Sequence, residues 1–228
     1  MSLQLKLDAV KHDFESKVPA QALAVMEKST QDLVSSKQAE RALKSGDNAP
    51  AFTLADSDGN TVTSKDLLLK GPLVITFYRG VWCPYCNLEL QALEALRSEI
   101  ESRGATLVAI SQQTAGNSRA SRRDNAVSFP ILIDQGGMLA DAFGIRWALQ
   151  GEIKALYEQF GVNLQTFNGE SSWTLPMPAR YVIDTQGVIA YSEINPDYTQ
   201  RPEPVELLPV LDALANKTVA GKTLAGAL

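Results

Sequence analysis

The sequence predicts an α/β fold, a mixed central sheet with helices on both faces, behind an N-terminal helical extension. Three observations carry this. Leu73-Val74-Ile75-Thr76-Phe77-Tyr78 and Thr106-Leu107-Val108-Ala109-Ile110 are unbroken runs of β-formers, the pattern of strands buried on both faces. Segments with helical spacing alternate with such runs. Near the end, Arg180-Tyr181-Val182-Ile183-Asp184 and Val188-Ile189-Ala190-Tyr191 flank Thr185-Gln186-Gly187, a β-hairpin signal followed by a helix from about Pro204 to Ala215.

Residues 1–45 read as a helical extension. Leu7, Val10 and Phe14 recur at helical spacing, as do Leu23, Met26 and Leu33 beyond Val18-Pro19, where Pro19 suits the first turn of a second helix. Such an arm suits a dimer contact, a lid, or packing on its own domain. Ser45-Gly46-Asp47-Asn48-Ala49-Pro50 ends it with turn residues. Residues 46–216 form the main domain. Phe52-Thr53-Leu54 and Thr61-Val62-Thr63 are short strands around a tight turn. Glu89 to Arg103 is a helix with Leu90, Leu93, Leu96 and Ile100 on one side, stopped by Gly104. Residues 118–125 read as helix, Ile131-Leu132-Ile133 as strand, and 138–143 and 147–161 as helices. A loop then leads to Pro176-Met177-Pro178. Residues 217–228 read as a C-terminal tail.

Composition narrows the function. Of 228 residues, 45% are hydrophobic and 21% charged, enough to build a core without disulfide staples. The net charge of -5 comes with no basic stripe, so a nucleic-acid partner is not expected. No apolar run is long enough to span a bilayer, and the first residues lack the marks of a leader, so a cytoplasmic protein is expected. Two cysteines are too few for a secreted disulfide scaffold.

Those two cysteines stand three positions apart in Trp82-Cys83-Pro84-Tyr85-Cys86, after a buried strand and before a helix. Pro84 suits the first helical position, which puts Cys83 at the cap and Cys86 in the first turn. Unpaired N–H groups and the helix dipole favour a thiolate there, and the spacing lets the sulfurs close a small disulfide. Zinc would need more ligands, and the one histidine, His12, lies in the arm. Inert buried thiols are disfavoured by the strand-to-helix position. The pair therefore reads as a redox centre, needing no cofactor.

From Gly46 to the last helix, the chain resembles the peroxiredoxin-like proteins of the alkyl hydroperoxide reductase and thiol-specific antioxidant (AhpC/TSA) family, within the thioredoxin-like fold. The likeness rests on the order and spacing of several segments. They are Gly46 to Leu54, Phe77 to Cys86, Leu107 to Ser111, Phe129 to Asp134 and Tyr181 to Asp184. It implies a hydroperoxide or disulfide substrate and recycling by thioredoxin or a similar thiol reductant. The family motif places Cys86 at the peroxidatic position. Its threonine position is then Cys83 and its proline position Arg79. The activating-arginine position is Pro178, with Arg180 two residues too late. Arg79 is the nearest candidate to restore the lost charge. Arg201 is a more distant one, better explained as a surface salt bridge.

In thioredoxins a proline at the place of Pro178 forms a cis peptide against the cysteine pair, so a cis Met177–Pro178 bond is expected here. Two catalytic readings follow. In the first, a peroxidase, Cys86 attacks the peroxide and Cys83 resolves the sulfenic acid. In the second, a disulfide oxidoreductase, Cys83 attacks and Cys86 resolves, with Trp82, Pro84, Tyr85 and Pro178 shaping the site. A non-catalytic redox sensor that moves the N-terminal helices is a third. The peroxidase is the reading the resemblance favours.

Overall fold

The computed structural model describes residues 1–225, with side-chain surroundings described as far as Asn216. Helix α1 (Leu3–Lys17) starts at Ser2, whose hydroxyl accepts from the Leu5 N–H, and ends at an extended Val18. That ending is forced locally, because a residue before proline is driven out of the helical region. Pro19 caps α2 (Ala20–Ser35), and a short α3 (Gln38–Arg41) follows.

The strands are β1 (Thr53–Asp56), β2 (Thr61–Thr63), β3 (Leu73–Phe77), β4 (Thr106–Ser111), β5 (Ile131–Ile133), β6 (Arg146–Ala148), β7 (Thr174–Pro176), β8 (Ala179–Ile183) and β9 (Ile189–Ile194). Seven of them form one sheet in the order β2-β1-β5-β4-β3-β8-β9, while β6 and β7 make a separate antiparallel pair. The centre, β3-β4-β5, is parallel, and its flanks are antiparallel. Between the strands lie α4 (Ser64–Leu68), α5 (Pro84–Ser102), α6 (Ala115–Asp124), α7 (Met138–Ala142), α8 (Glu152–Gln159), α9 (Leu164–Asn168) and finally α10 (Leu207–Ala225).

All five residues of β3 are buried, as its sequence requires. Strand alternation then splits the core. Val74 joins Leu90 and Leu93 of α5, Leu3 and Leu7 of α1, and Leu211 of α10 on one face. Leu73, Ile75 and Phe77 meet Phe143, Ile145 and Tyr181 on the other. A third cluster, built from α8, α9 and β7, reaches Val25 and Met26 of α2 and Trp82 of the cysteine loop. The expected mixed sheet with helices on both faces is present, and helices occupy the N-terminal stretch.

Four local expectations change. The stretch 147–161 is not one helix: β6 comes first, paired with β7, and Gly151 at φ +63° turns the chain into α8. Its strand partner is distant in sequence, so local periodicity could not reveal it. Helix α9 fills part of the expected loop. Helix α4 follows β2 at the local start signal Thr63-Ser64-Lys65-Asp66, where the Thr63 hydroxyl accepts from the Asp66 N–H. The last helix begins as a 3-10 turn at Pro204–Glu206 and continues to Ala225, through most of the expected tail, while residues 226–228 lie outside the described residues. Among the described residues, no helix is long and apolar enough to cross a membrane.

Candidate active site

Strand β3 delivers the chain to a loop, 78–82, that runs straight into α5. Cys83 is the N-cap of α5 in extended conformation, Pro84 is its first residue, and Cys86 lies in the first turn. Both cysteines are free thiols and both are buried. The loop is pinned from two sides. Gln113 accepts from the Val81 N–H (3.0 Å) and donates to the Tyr78 hydroxyl (2.6 Å), while the Asn87 amide donates to the Val81 carbonyl (2.9 Å). Gly80, at φ +154°, lets Trp82 fold back over the loop, since a Cβ there would lie 2.6 Å from the indole nitrogen.

Two guanidinium groups act on the pair. Arg79 is 2% exposed. Its Cζ stands 4.2 Å from the Tyr198 ring centroid, 4.9 Å from that of Trp82 and 5.6 Å from that of Tyr157. It donates to the Tyr157 hydroxyl, and its Nε has no partner among the described residues. Arg201 corrects an expectation. It is not a surface residue but is buried, donating to Glu89 and to the Tyr198 and Gln200 carbonyls, with one nitrogen 3.6 Å from Cys86 Sγ. Glu89 also accepts from Arg180 (2.8 Å) and Thr76 (3.2 Å). Arg180 therefore stands behind Glu89, and the positive charge at the sulfurs comes from Arg79 and Arg201.

The two thiols are pushed apart. Burial raises the Cys83 thiol, but the hydrogen bond with Cys86 and the Arg79 and Arg201 charges outweigh it, leaving Cys83 below the ordinary thiol range. Burial pushes the Cys86 thiol well up, as do its hydrogen bond to Cys83 and the Cys83 charge, against the pull of Arg201 and Arg79. These opposite directions favour the negative charge on Cys83, with the Cys86 thiol as the hydrogen-bond donor to it.

A cavity of about 430 Å³ opens onto this pair, and Cys83 lines it where Cys86 does not. The residues singled out from sequence at its wall are Arg79, Trp82, Pro84 and Tyr85. Helices α1 and α2 cover it with Val10, Phe14, Met26 and the ion pair of Lys17 with Asp13 (2.6 Å), and Tyr157, Phe160, Val162 and Tyr198 add to the apolar lining.

Pro178 is the exception. Among the described residues there is no cis peptide bond, so Met177–Pro178 is trans, against expectation. The reason is that the chain stays extended there. Pro176 pairs with Arg146, the Met177 N–H donates to the Ile145 carbonyl, and Ala179 already pairs with Phe77. Pro178 borders a recess beside Arg79, Tyr157 and Tyr198 rather than the cavity at Cys83. Sequence reasoning missed Tyr157, Tyr198 and Glu89. Only Glu89 carried a signal, since it lies three residues from Cys86 on the same helix face. Among the described residues, no cluster of three or more His, Cys, Asp or Glu side chains is placed to hold a metal.

The AhpC/TSA family model matches residues 45–192, well over half of the chain. The chain belongs to the AhpC/TSA family. Its cysteine loop and the sheet as far as the middle of β9 lie inside that match, and the helices covering the cavity lie ahead of it. Among relatives, a thiol-disulfide oxidoreductase ResA of Halalkalibacterium halodurans is 33% identical over 110 residues, covering 47% of this chain and 61% of that one. The chloroplastic peroxiredoxin Q of Triticum aestivum is 27% identical over 146 residues, covering 64% of this chain and 57% of that one. The chain thus spans about three fifths of the length of these two relatives. The solved structure of peroxidoxin BcpB from Mycobacterium tuberculosis superposes with a TM-score of 0.60 at 23% identity, covering 75% of this chain and 98% of that one. That likeness is one of fold.

Proposed function

We propose that this AhpC/TSA-family protein is a thiol peroxidase in which Cys83 attacks first and Cys86 resolves. The Cys83 thiolate attacks the terminal oxygen of a hydroperoxide, which keeps its hydrogen; the O–O bond breaks, and the departing alkoxide takes a proton from solvent and leaves as the alcohol. Cys83 becomes a sulfenic acid. Cys86 then attacks that sulfur, the S–O bond breaks, and water leaves as the disulfide forms. Thioredoxin or a similar thiol reductant supplies the two electrons that restore the dithiol. Arg79 stabilises the thiolate and the charge that develops on the leaving oxygen.

One observation carries the reading: Cys83 faces a covered apolar cavity, and Cys86 lies behind it with no cavity surface. It reverses the order that motif alignment alone suggests. A second reading, disulfide exchange with a protein, is favoured by the lowered thiol of the first cysteine of the pair. The cover weighs against it, because an extended protein segment has to reach a sulfur that is 1% exposed. Only two cysteines, spaced for a reversible disulfide, suit a reducing compartment, and on that ground we place the protein in the cytoplasm.

The test is stoichiometric peroxide oxidation followed by dimedone trapping and mass spectrometry. Cys86→Ser should stop at a trapped sulfenic acid on Cys83, and Cys83→Ser should leave peroxide unconsumed. A sulfenic acid trapped on Cys86 in Cys83→Ser would return the first role to Cys86. Reduction of insulin at a rate rivalling peroxide turnover would favour the exchange reading.

A further inference from the structure

Breaking the O–O bond of an alkyl hydroperoxide leaves an alkoxide, a strong base, in a cavity whose lining is largely apolar. A side chain placed to protonate it there speeds the step. The titratable groups on the cavity wall are few enough to take one by one. Cys83 is the attacking sulfur. Arg79 keeps its proton, as a guanidinium does in any protein. Asp13 and Lys17 pair with each other at the rim, 64% and 69% exposed. Three tyrosines are left, Tyr85, Tyr157 and Tyr198.

The three differ in what their side chains touch. Tyr198 meets Arg79 with its ring face, 4.2 Å from centroid to Cζ, and Tyr85 packs edge-on against the Tyr198 ring at 5.5 Å. Tyr157, on α8 and only 5% exposed, instead takes a hydrogen bond from the Arg79 guanidinium on its hydroxyl oxygen. That contact uses a lone pair and leaves the phenolic proton free to be given away. Among the described residues no acceptor holds that proton. Trp82, beside Cys83 in the chain, sets the Tyr157 ring through an edge contact of 5.8 Å.

Arg79 also ties this hydroxyl to the sulfur. Its charge acts on Cys83, and the Cys83 charge in turn acts on Tyr157. Burial disfavours the phenolate of Tyr157, and the Arg79 cation works against burial. A phenol is a far stronger acid than an alcohol, so a proton passed from Tyr157 to an alkoxide moves downhill.

We propose that Tyr157 is a catalytic acid of the peroxide step, the relay through which a solvent proton reaches the departing alkoxide. The proposal rests on the peroxidase reading. Cys83 sulfur bonds to the terminal oxygen, which keeps its hydrogen, and the O–O bond breaks. The Tyr157 hydroxyl gives its proton to the alkoxide, and the alcohol leaves. The phenolate, held by Arg79, then regains a proton from solvent. Sulfur loses two electrons, the peroxide gains them, and Tyr157 ends as it began.

Tyr157→Phe keeps the ring and removes the acid. Oxidation of the full-length dithiol chain is followed in single turnovers below neutral pH with two oxidants. tert-Butyl hydroperoxide expels an alkoxide, which needs a proton. Peracetic acid expels acetate, which does not. Tyr157→Phe should slow tert-butyl hydroperoxide by about 10²-fold or more, and peracetic acid by a much smaller factor. The ratio of the two rates cancels any change in the Cys83 thiolate, so a phenol that merely positioned Arg79 would slow both alike. In the wild type, heavy water should slow tert-butyl hydroperoxide more than peracetic acid.

Equal slowing of the two oxidants, by Tyr157→Phe or by heavy water, overturns the proposal, and the heavy-water result needs no variant to fold. A wild type that consumes neither oxidant defeats the peroxidase reading and the proposal with it. Equal slowing in a chain that consumes both defeats the proposal alone.

Discussion

At Cys83 the hydrogen bond from Cys86 and the charges of Arg79 and Arg201 together outweigh burial and favour the thiolate. With its thiol below the ordinary range, its ionised fraction saturates at a lower pH than that of a free cysteine, about 8.5. Site-resolved iodoacetamide labelling should therefore stay fast well below that pH and decline only further down. Arg79→Met should move the midpoint upward. An unmoved midpoint would take Arg79 out of the electrostatics of the pair. Glu89 makes a second residue-scale case. Burial disfavours its charge, but Arg201 and Arg180 outweigh burial and hold the carboxyl below its usual range. Glu89→Gln leaves two buried cations undercompensated and should lower stability by about 3–5 kcal/mol, read from urea unfolding at neutral pH. A depressed carboxyl contributes stability above its unfolded value, about 4.3, and loses it as pH falls through the folded value. The gap between wild type and variant should accordingly shrink in acid.

At the scale of elements, the site depends on β3 and β4 starting side by side. The Thr106 N–H donates to the Pro72 carbonyl, and Gly71, at φ +150°, lies so close to Gly104 that a Cβ would sit 2.0 Å from the Gly104 oxygen. Gly71→Ala needs backbone to move and should cost about 1–3 kcal/mol or more. Gly104→Ala meets nothing within 4 Å, although its φ is +76°, and should cost only about 1–2 kcal/mol of backbone strain. Denaturant midpoints of the two variants check the order, and a milder Gly71→Ala would refute it. The start of α5 was legible because proline, cap and first turn lie within four residues of one another. Strand β6 was not, because its reason for being extended is β7, which lies far along the chain.

At the scale of the whole molecule, redox state and stability are linked. A disulfide across so short a loop removes only about 2 kcal/mol of entropy from the unfolded chain. In the folded chain it removes the anion beside Arg79, a charge-assisted contact worth roughly 1–3 kcal/mol. The disulfide form should thus gain no net stability over the dithiol. Urea curves of the two forms at pH 8 would show it, and a more stable disulfide form would contradict the pairing of Arg79 with Cys83. A disulfide that adds nothing to the fold is readily reopened, which suits a pair that must be reduced every cycle.

The sequence by itself determined the α/β sheet, the helical arm, the family likeness and the place of Cys83 and Cys86 at a helix start. These follow from apolar period, proline position and short spacing, all local quantities. Tertiary structure decided which sulfur meets the cavity, which arginines charge it, and that the arm covers it. Arg201 reaches Glu89 across 112 positions, and Arg79 reaches Tyr157 across 78. No local pattern encodes such meetings, because they exist only once separate elements have packed around one core.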